Sequence, residues 1–103
     1  MASFWSGRRV LITGVGGFLG AWLSRLLVEA GADVVGLDVS SDSPCLRAHG
    51  VEGPVRVVRG SVLDLEAMEA VLRAHRTEVC FHLAGQSMIE GAAAGPLTAY
   101  ELN

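Results

Sequence analysis

Val10-Leu11-Ile12-Thr13-Gly14-Val15-Gly16-Gly17-Phe18-Leu19-Gly20, running on into Ala21-Trp22-Leu23-Ser24-Arg25-Leu26-Leu27, is the stretch whose reading decides the fold. A β-prone apolar run stops at a glycine cluster, and a helix-period pattern begins at once. That layout is a strand–turn–helix able to cradle phosphate. Gly14, Gly17 and Gly20 each have a separate physical job. Gly14 can take the backbone angles of a tight turn off the strand end. Gly17 has no Cβ, so a pyrophosphate can approach the amides of the new helix, whose dipole favours negative charge. Gly20, one turn in, lets the helix lie close on the strand it has left.

Counted from Gly14, the strict Gly-x-Gly-x-x-Gly spacing would place its third glycine at position 19, which is Leu. The cluster alone therefore fits an ordinary glycine-rich turn as well as a dinucleotide site. Context favours the second: a strand before, a helix after, and an acid at the end of the next strand. Asp38 lies 24 residues beyond Gly14, near the roughly 20-residue offset at which an acid accepts hydrogen bonds from an adenosine ribose. Its other reading is a solvated strand-end residue or a partner for the neighbouring loop serines. No Arg follows Asp38 closely, so a 2′-phosphate would meet repulsion and no partner. NAD is favoured over NADP.

Composition limits the alternatives. At 103 residues the chain is one domain at most, able to bury about two-thirds of its unfolded surface. Half the residues are apolar and 18% charged, and a net charge of −3 gives no support for a nucleic-acid or anionic-membrane partner. Arg8-Arg9 followed by the uncharged run from Val10 to Ser24 invites a targeting or membrane reading. The run is short against a span of roughly 20 residues, and its glycines suit an isolated apolar helix poorly. Cys45 and Cys80 lack metal-ligand spacing, and Cys80 reads as a small core residue. The compartment expected is the cytoplasm.

Taken in order, Met1 to Gly7 is a lead-in with Phe4 and Trp5 as packing anchors. Arg9–Thr13 reads as a strand covered on both faces. A helix from about Phe18 to Ala30 places Leu19, Leu23, Leu26, Leu27 and Ala30 on one side, with Arg25 and Glu29 pairable on another and Gly31 as its stop. Val34–Asp38 is a second strand. Ser40 to Pro54 reads as loop with one helical turn around Cys45–His49, and Val55–Arg59 as a third strand. Asp64 is an N-cap for a helix with Leu65, Met68, Val71, Leu72 and His75 on one face. Val79–Leu83 is a fourth strand, and Pro96 suits the start of a last helix. Trp22, Met68 and the leucines are core by default, and His49 and His75 read as surface. The alternation predicts an α/β fold, the N-terminal half of a Rossmann-type doubly wound parallel sheet.

Thr13-Gly14-Val15-Gly16-Gly17-Phe18-Leu19-Gly20, Asp38, His82-Leu83-Ala84-Gly85-Gln86 and Asn103 together resemble the extended short-chain dehydrogenase/reductase family of NAD-dependent nucleotide-sugar epimerases and dehydratases. Phe4-Trp5 with Gly7-Arg8-Arg9-Val10, and Gly17-Phe18 with Ala21-Trp22-Leu23-Ser24, are most similar to its 4,6-dehydratase branch. The resemblance spans this chain but only the N-terminal part of such an enzyme. It implies that Gly14, Gly17, Phe18, Leu19 and Gly20 hold the cofactor pyrophosphate, chiefly through main chain, and that Asp38 binds the ribose. Leu83, Ala84 and Gly85 would line the cofactor at the end of the fourth strand, and Asn103 would support its site. Where the family has Gly-Asp, with the acid meeting adenine, this chain has Gly60-Ser61, so Ser61 and Val62 become the implied contacts. Leu19 stands where the dehydratases carry a basic residue, as in the epimerases, and Ala84-Gly85 replaces Ala-Ala.

His82 reads as a hydrogen-bonded core residue or, less readily, a base; Gln86 and Ser87 stand at the expected site mouth or in a plain loop. The family moves a hydride between sugar C4 and NAD, using a Tyr as base with a Lys four residues on. Tyr100 is the only Tyr and there is no Lys, so no catalytic residue is named. Residues 1–103 are expected to be an incomplete NAD-binding domain lacking the later strands and the substrate domain, which would leave the fourth strand unpaired on one side. A nucleotide-sugar is the expected substrate of the longer form, and a homo-oligomer stays open. Two rivals remain: a non-catalytic dinucleotide-binding or interaction module or remnant, and another NAD(P)-dependent reductase of the same fold.

Overall fold

The computed structural model describes residues 4–40 and 42–84. Four parallel strands form one sheet: β1 (Arg9–Thr13), β2 (Asp33–Asp38), β3 (Arg56–Arg59) and β4 (Val79–His82), in the order β3-β2-β1-β4. Between them run α1 (Phe18–Glu29), α2 (Pro44–Ala48) and α3 (Leu65–His75). The chain steps outward from β1 to β3, then crosses back to the far side of β1. Right-handed crossovers in those two directions put α1 and α2 on one face and α3 on the other. The two apolar clusters follow suit. Val10, Ile12 and Val34 pack with Ala21, Leu27 and Leu46, whereas Leu11, Val35 and Leu37 pack with Val71 and the partly buried Met68. Successive strand residues face opposite ways, so β1 and β2 had to be apolar almost throughout. The doubly wound α/β arrangement is the one expected.

Local signals account for the element ends. The Asp64 carboxylate accepts from the Ala67 N–H at 3.1 Å and caps α3. Gly31, at φ +89°, ends α1 while the Ala32 N–H returns to the Leu27 carbonyl at 2.9 Å. Arg25 and Glu29 pair at 3.0 Å. Trp5 packs on the first cluster, 5.8 Å from the Phe81 ring, with Phe4 exposed and edge-on beyond it.

Several side chains lie elsewhere than expected. On α1 the buried positions are Gly20, Ala21, Ser24 and Leu27, whereas Leu19 and Leu26 are 66% and 57% exposed. The helix starts so close to the preceding turn that small residues, Gly20, Ala21 and Ser24, face inward over its first turns, and a buried leucine comes only at Leu27. Trp22 is on the outside, edge-on to the half-buried His49 at 4.5 Å. On α3, Leu65 and Leu72 are exposed and His75 is buried, its Nε2 lying 3.2 Å from the Asp33 carbonyl oxygen. α3 crosses over the middle of the sheet, so only the narrow stripe Met68, Val71 and His75 reaches it. Cys80 and His82 are exposed, not core. In register with Leu11 and Thr13, they sit on the α3 side of the outer strand, which α3 does not reach. Partial desolvation still raises the Cys80 thiol pKa. The expected last helix at Pro96 and the residues Gln86, Ser87 and Tyr100 lie outside the described residues.

Candidate functional site

The site forms where β1 ends. Gly14 has φ +69°, and a Cβ there would lie 2.9 Å from the Ala84 N and Cα. Only glycine lets the turn pass this close to the chain leaving β4. The Gly14 N–H continues the ladder to the Leu37 carbonyl at 2.8 Å. Gly17 is the N-cap of α1, in extended geometry, and its N–H donates to the Gly14 carbonyl at 3.1 Å. The first helical bond runs from the Ala21 N–H to the Gly17 carbonyl at 2.9 Å, so the amides of Phe18, Leu19 and Gly20 precede the ladder. A Cβ on Gly20 would stand 2.5 Å from the Gly14 carbonyl oxygen and 2.7 Å from the Val15 Cα. Its role is to seat the helix on the turn itself rather than on the strand.

Gly16, outside the residues expected at the site, joins the turn to the next strand. Its N–H donates to Asp38 Oδ2 at 2.9 Å, and its carbonyl accepts from the Ser43 hydroxyl, also at 2.9 Å. Ser43 is buried and caps α2 through the Leu46 N–H at 3.1 Å. Asp38 Oδ1 accepts from the Ser40 N–H at 3.2 Å. The reading of Asp38 as a partner of the serine loop is met, through main chain, and the same carboxylate also stands at the glycine turn. Two of a carboxylate's roughly four acceptor positions are filled, leaving capacity for hydroxyl donors.

Thr13, at the end of β1 and fully buried, fastens the other side. Its Oγ1 lies 2.9 Å from His82 Nδ1 and accepts from the Ala84 N–H at 3.2 Å. His82 is hydrogen-bonded as expected, though exposed.

These pieces enclose a cleft of about 480 Å³ at the C-terminal edge of the sheet. Of the expected site residues, Gly14, Gly17, Asp38, Ser61, Val62, Leu83 and Ala84 line it. Gly20 lies buried behind the turn, and the Phe18 and Leu19 side chains point to solvent beside the helix start. Gly85 and Asn103 lie outside the described residues. Ser61 spends its hydroxyl oxygen on the Leu63 N–H at 3.1 Å. Gly16, Ser40, Asp42 and Gly60 also line the cleft and were not anticipated. For Gly16 the sequence did hold a signal, since Gly14-x-Gly16 meets the first two positions of the strict spacing. Among the described residues no group of three His, Cys, Asp or Glu is placed to hold a metal, and no helix is long and apolar enough to cross a membrane.

A glycine turn, a helix start and a strand-end carboxylate meet where the strand order reverses beside β1. This is the topological switch point of a doubly wound α/β domain, where such folds take their ligands. Residues 11–103 match the family model described as GDP-mannose 4,6 dehydratase, and the chain belongs to that family. It is 31% identical over 103 residues to a CDP-glucose 4,6-dehydratase of Salmonella typhimurium, covering 98% of this chain and 29% of that protein. To a UDP-glucose 4-epimerase of Azospirillum brasilense it is 30% identical over 95 residues, covering 92% and 26%. A UDP-glucose 4-epimerase of Thermus thermophilus, solved in complex with NAD, superposes with a TM-score of 0.77 at 29% identity over 91% of this chain and 29% of the other. The chain thus spans less than a third of the length of each relative.

Proposed function

We propose that these residues form the NAD-binding part of a nucleotide-sugar 4,6-dehydratase or 4-epimerase. The observation that carries the reading is the 2.9 Å hydrogen bond from the Gly16 N–H to Asp38 Oδ2. It joins a phosphate-type turn to a ribose-type carboxylate in one cleft. The residues fit the cofactor. The amides of Phe18, Leu19 and Gly20 precede the first helical bond and open toward an anion. A Cβ on Gly14 would meet the Ala84 backbone across the cleft wall, and Asp38 keeps acceptor capacity for the two hydroxyls of a ribose.

In this reading Gly14, Gly17 and the helix-start amides hold the pyrophosphate and Asp38 orients the adenosine ribose. Ser61 and Val62 face the adenine. Leu83, Ala84 and Gly85 wall the reactive end, and Asn103 supports it. The cofactor would supply a transient hydride acceptor for sugar C4. None of the residues placed here is a catalytic acid or base. That role falls to further sequence, in keeping with the length of the relatives, so residues 1–103 act as one incomplete cofactor-binding domain. As the resemblance implies, the protein works on a nucleotide-sugar in the cytoplasm.

Calorimetric titration with NAD tests this. The unaltered protein should bind NAD, and Asp38→Ala should weaken binding by about tenfold or more, since it removes a charged acceptor and loosens the turn. Unchanged affinity in Asp38→Ala would sink the ribose assignment.

A further inference from the structure

A second carboxylate stands in the same cleft beyond Asp38. Asp42 also lines it, and its main chain is tied to the Asp38 loop. The Ser40 hydroxyl donates to the Asp42 carbonyl at 3.2 Å and accepts from the Asp42 N–H at 3.3 Å, while the Ser40 N–H is held by Asp38. The Asp42 carboxylate takes a hydrogen bond from Arg47 Nη1, which also lies 3.6 Å from Glu52 Oε2. One guanidinium is therefore shared between two carboxylates, of which Asp42 lines the cleft. The Asp42 bond, with its charge, raises the Arg47 pKa further above neutrality. The other nearby cation, Arg59, sits beside Asp38 in register on β3 and donates its Nε to the Val39 carbonyl at 3.3 Å. A guanidinium is the side chain best shaped to grip a phosphate monoester, and the one attached to this loop is already engaged.

We propose that Asp42 is a specificity-determining residue: by engaging Arg47 it denies a 2′-phosphorylated dinucleotide the cation its extra phosphate needs. This rests on the NAD reading above and adds a residue to the discrimination that Asp38 exerts. A 2′-phosphate entering beside Asp38 would face a second negative side chain and a guanidinium that must first leave two acceptors. With Asn at position 42 the charge is gone, and only a neutral amide oxygen is left to accept from Arg47. The one ionic contact of Arg47 is then the longer one to Glu52, and the guanidinium becomes freer to turn to the phosphate.

The test is equilibrium binding of NAD and of NADP to three forms of the full chain: unaltered, Asp42→Asn, and Asp42→Asn with Arg47→Ala. Solvent-facing ion pairs are weak, so the ratio of the NADP to the NAD dissociation constant should fall roughly three- to fivefold in Asp42→Asn. It should return toward the unaltered value in the double variant. Circular dichroism of each form checks that the fold is kept, which the exposure of both side chains leads one to expect. A ratio unmoved in Asp42→Asn, with NAD still bound by the unaltered protein, overturns this inference and leaves the cofactor reading standing. A gain that survives the removal of Arg47 overturns it too. Absence of NAD binding by the unaltered protein overturns the cofactor reading and this inference with it.

Discussion

β1 and β4 lie side by side, yet their two ends are fastened by different physics. At the C-terminal end the fastening is short and centred on the buried Thr13. The Thr13 hydroxyl reaches His82 and the Ala84 N–H, and the glycine turn passes within contact of the Ala84 backbone. At the N-terminal end it is exposed and charged. Glu78 pairs with Arg8 at 3.2 Å and Arg9 at 3.4 Å, and its Oε1 also accepts the Arg9 N–H at 3.2 Å. One end depends on the absence of side chains, the other on long, flexible ones. The cleft opens at the first end, where close backbone approach leaves little room for added atoms. Substitution should therefore be costly there and cheap at the other.

The largest expected effect is at Gly20. In most helices Gly→Ala stabilises by roughly 0.5–1 kcal/mol. Here the added methyl would meet Gly14 and Val15 backbone atoms at 2.5 to 2.7 Å, and backbone cannot swing aside. Gly20→Ala should lose about 2–3 kcal/mol in urea unfolding and weaken NAD binding. Gly53→Ala, with nothing within 4 Å of its added Cβ, should stay within about 0.5 kcal/mol of the unaltered protein. Equal behaviour of the two variants would break the contrast between a packed turn and an open loop.

Thr13→Val comes next. It preserves shape but removes the acceptor of the half-buried Ala84 N–H, and should cost about 1–3 kcal/mol. Thr13→Ser, which keeps the hydroxyl, should recover part of that loss and of the NAD affinity. If Val and Ser proved equal, the hydroxyl would not be the fastening.

How far these ends were legible in the sequence follows from the range of their interactions. The strand–turn–helix could be read because its causes are local: a run apolar enough for burial on both faces, then glycines at fixed offsets. Asp38 was legible by its offset from Gly14. The bonds that complete the site were not, because they join residues far apart in sequence. Gly16 to Ser43 spans 27 positions and Thr13 to His82 spans 69. Periodicity showed that α1 and α3 have an apolar side but not how wide a stripe the sheet would cover. Leu19, Leu26, Leu65 and Leu72 therefore fell outside and His75 inside. The unpaired outer edge of β4 was expected, but not which of its residues α3 would leave uncovered, which is why Cys80 and His82 looked like core residues and are exposed.

The smallest effect belongs to the charged end. The Arg9 N–H, then the nearby Arg9 and Arg8 charges, hold the Glu78 carboxyl below its ordinary value of 4.5. A carboxyl whose pKa is lower folded than unfolded stabilises the fold above its unfolded pKa and loses that contribution as pH falls through the folded one. Glu78→Gln should therefore lower the melting temperature only slightly at pH 7, where the pairs are solvent-facing and screened. Added salt should shrink even that difference. Below the folded pKa the two proteins should melt alike, because the unaltered side chain is then neutral as well. NAD affinity at pH 7 should not move, since Glu78 lies at the edge of the sheet opposite the cleft. A Glu78→Gln loss as large as that of Thr13→Val, or one that persisted in acid, would mean that the N-terminal fastening is not electrostatic and that the two ends of β1 and β4 are more alike than their contacts imply.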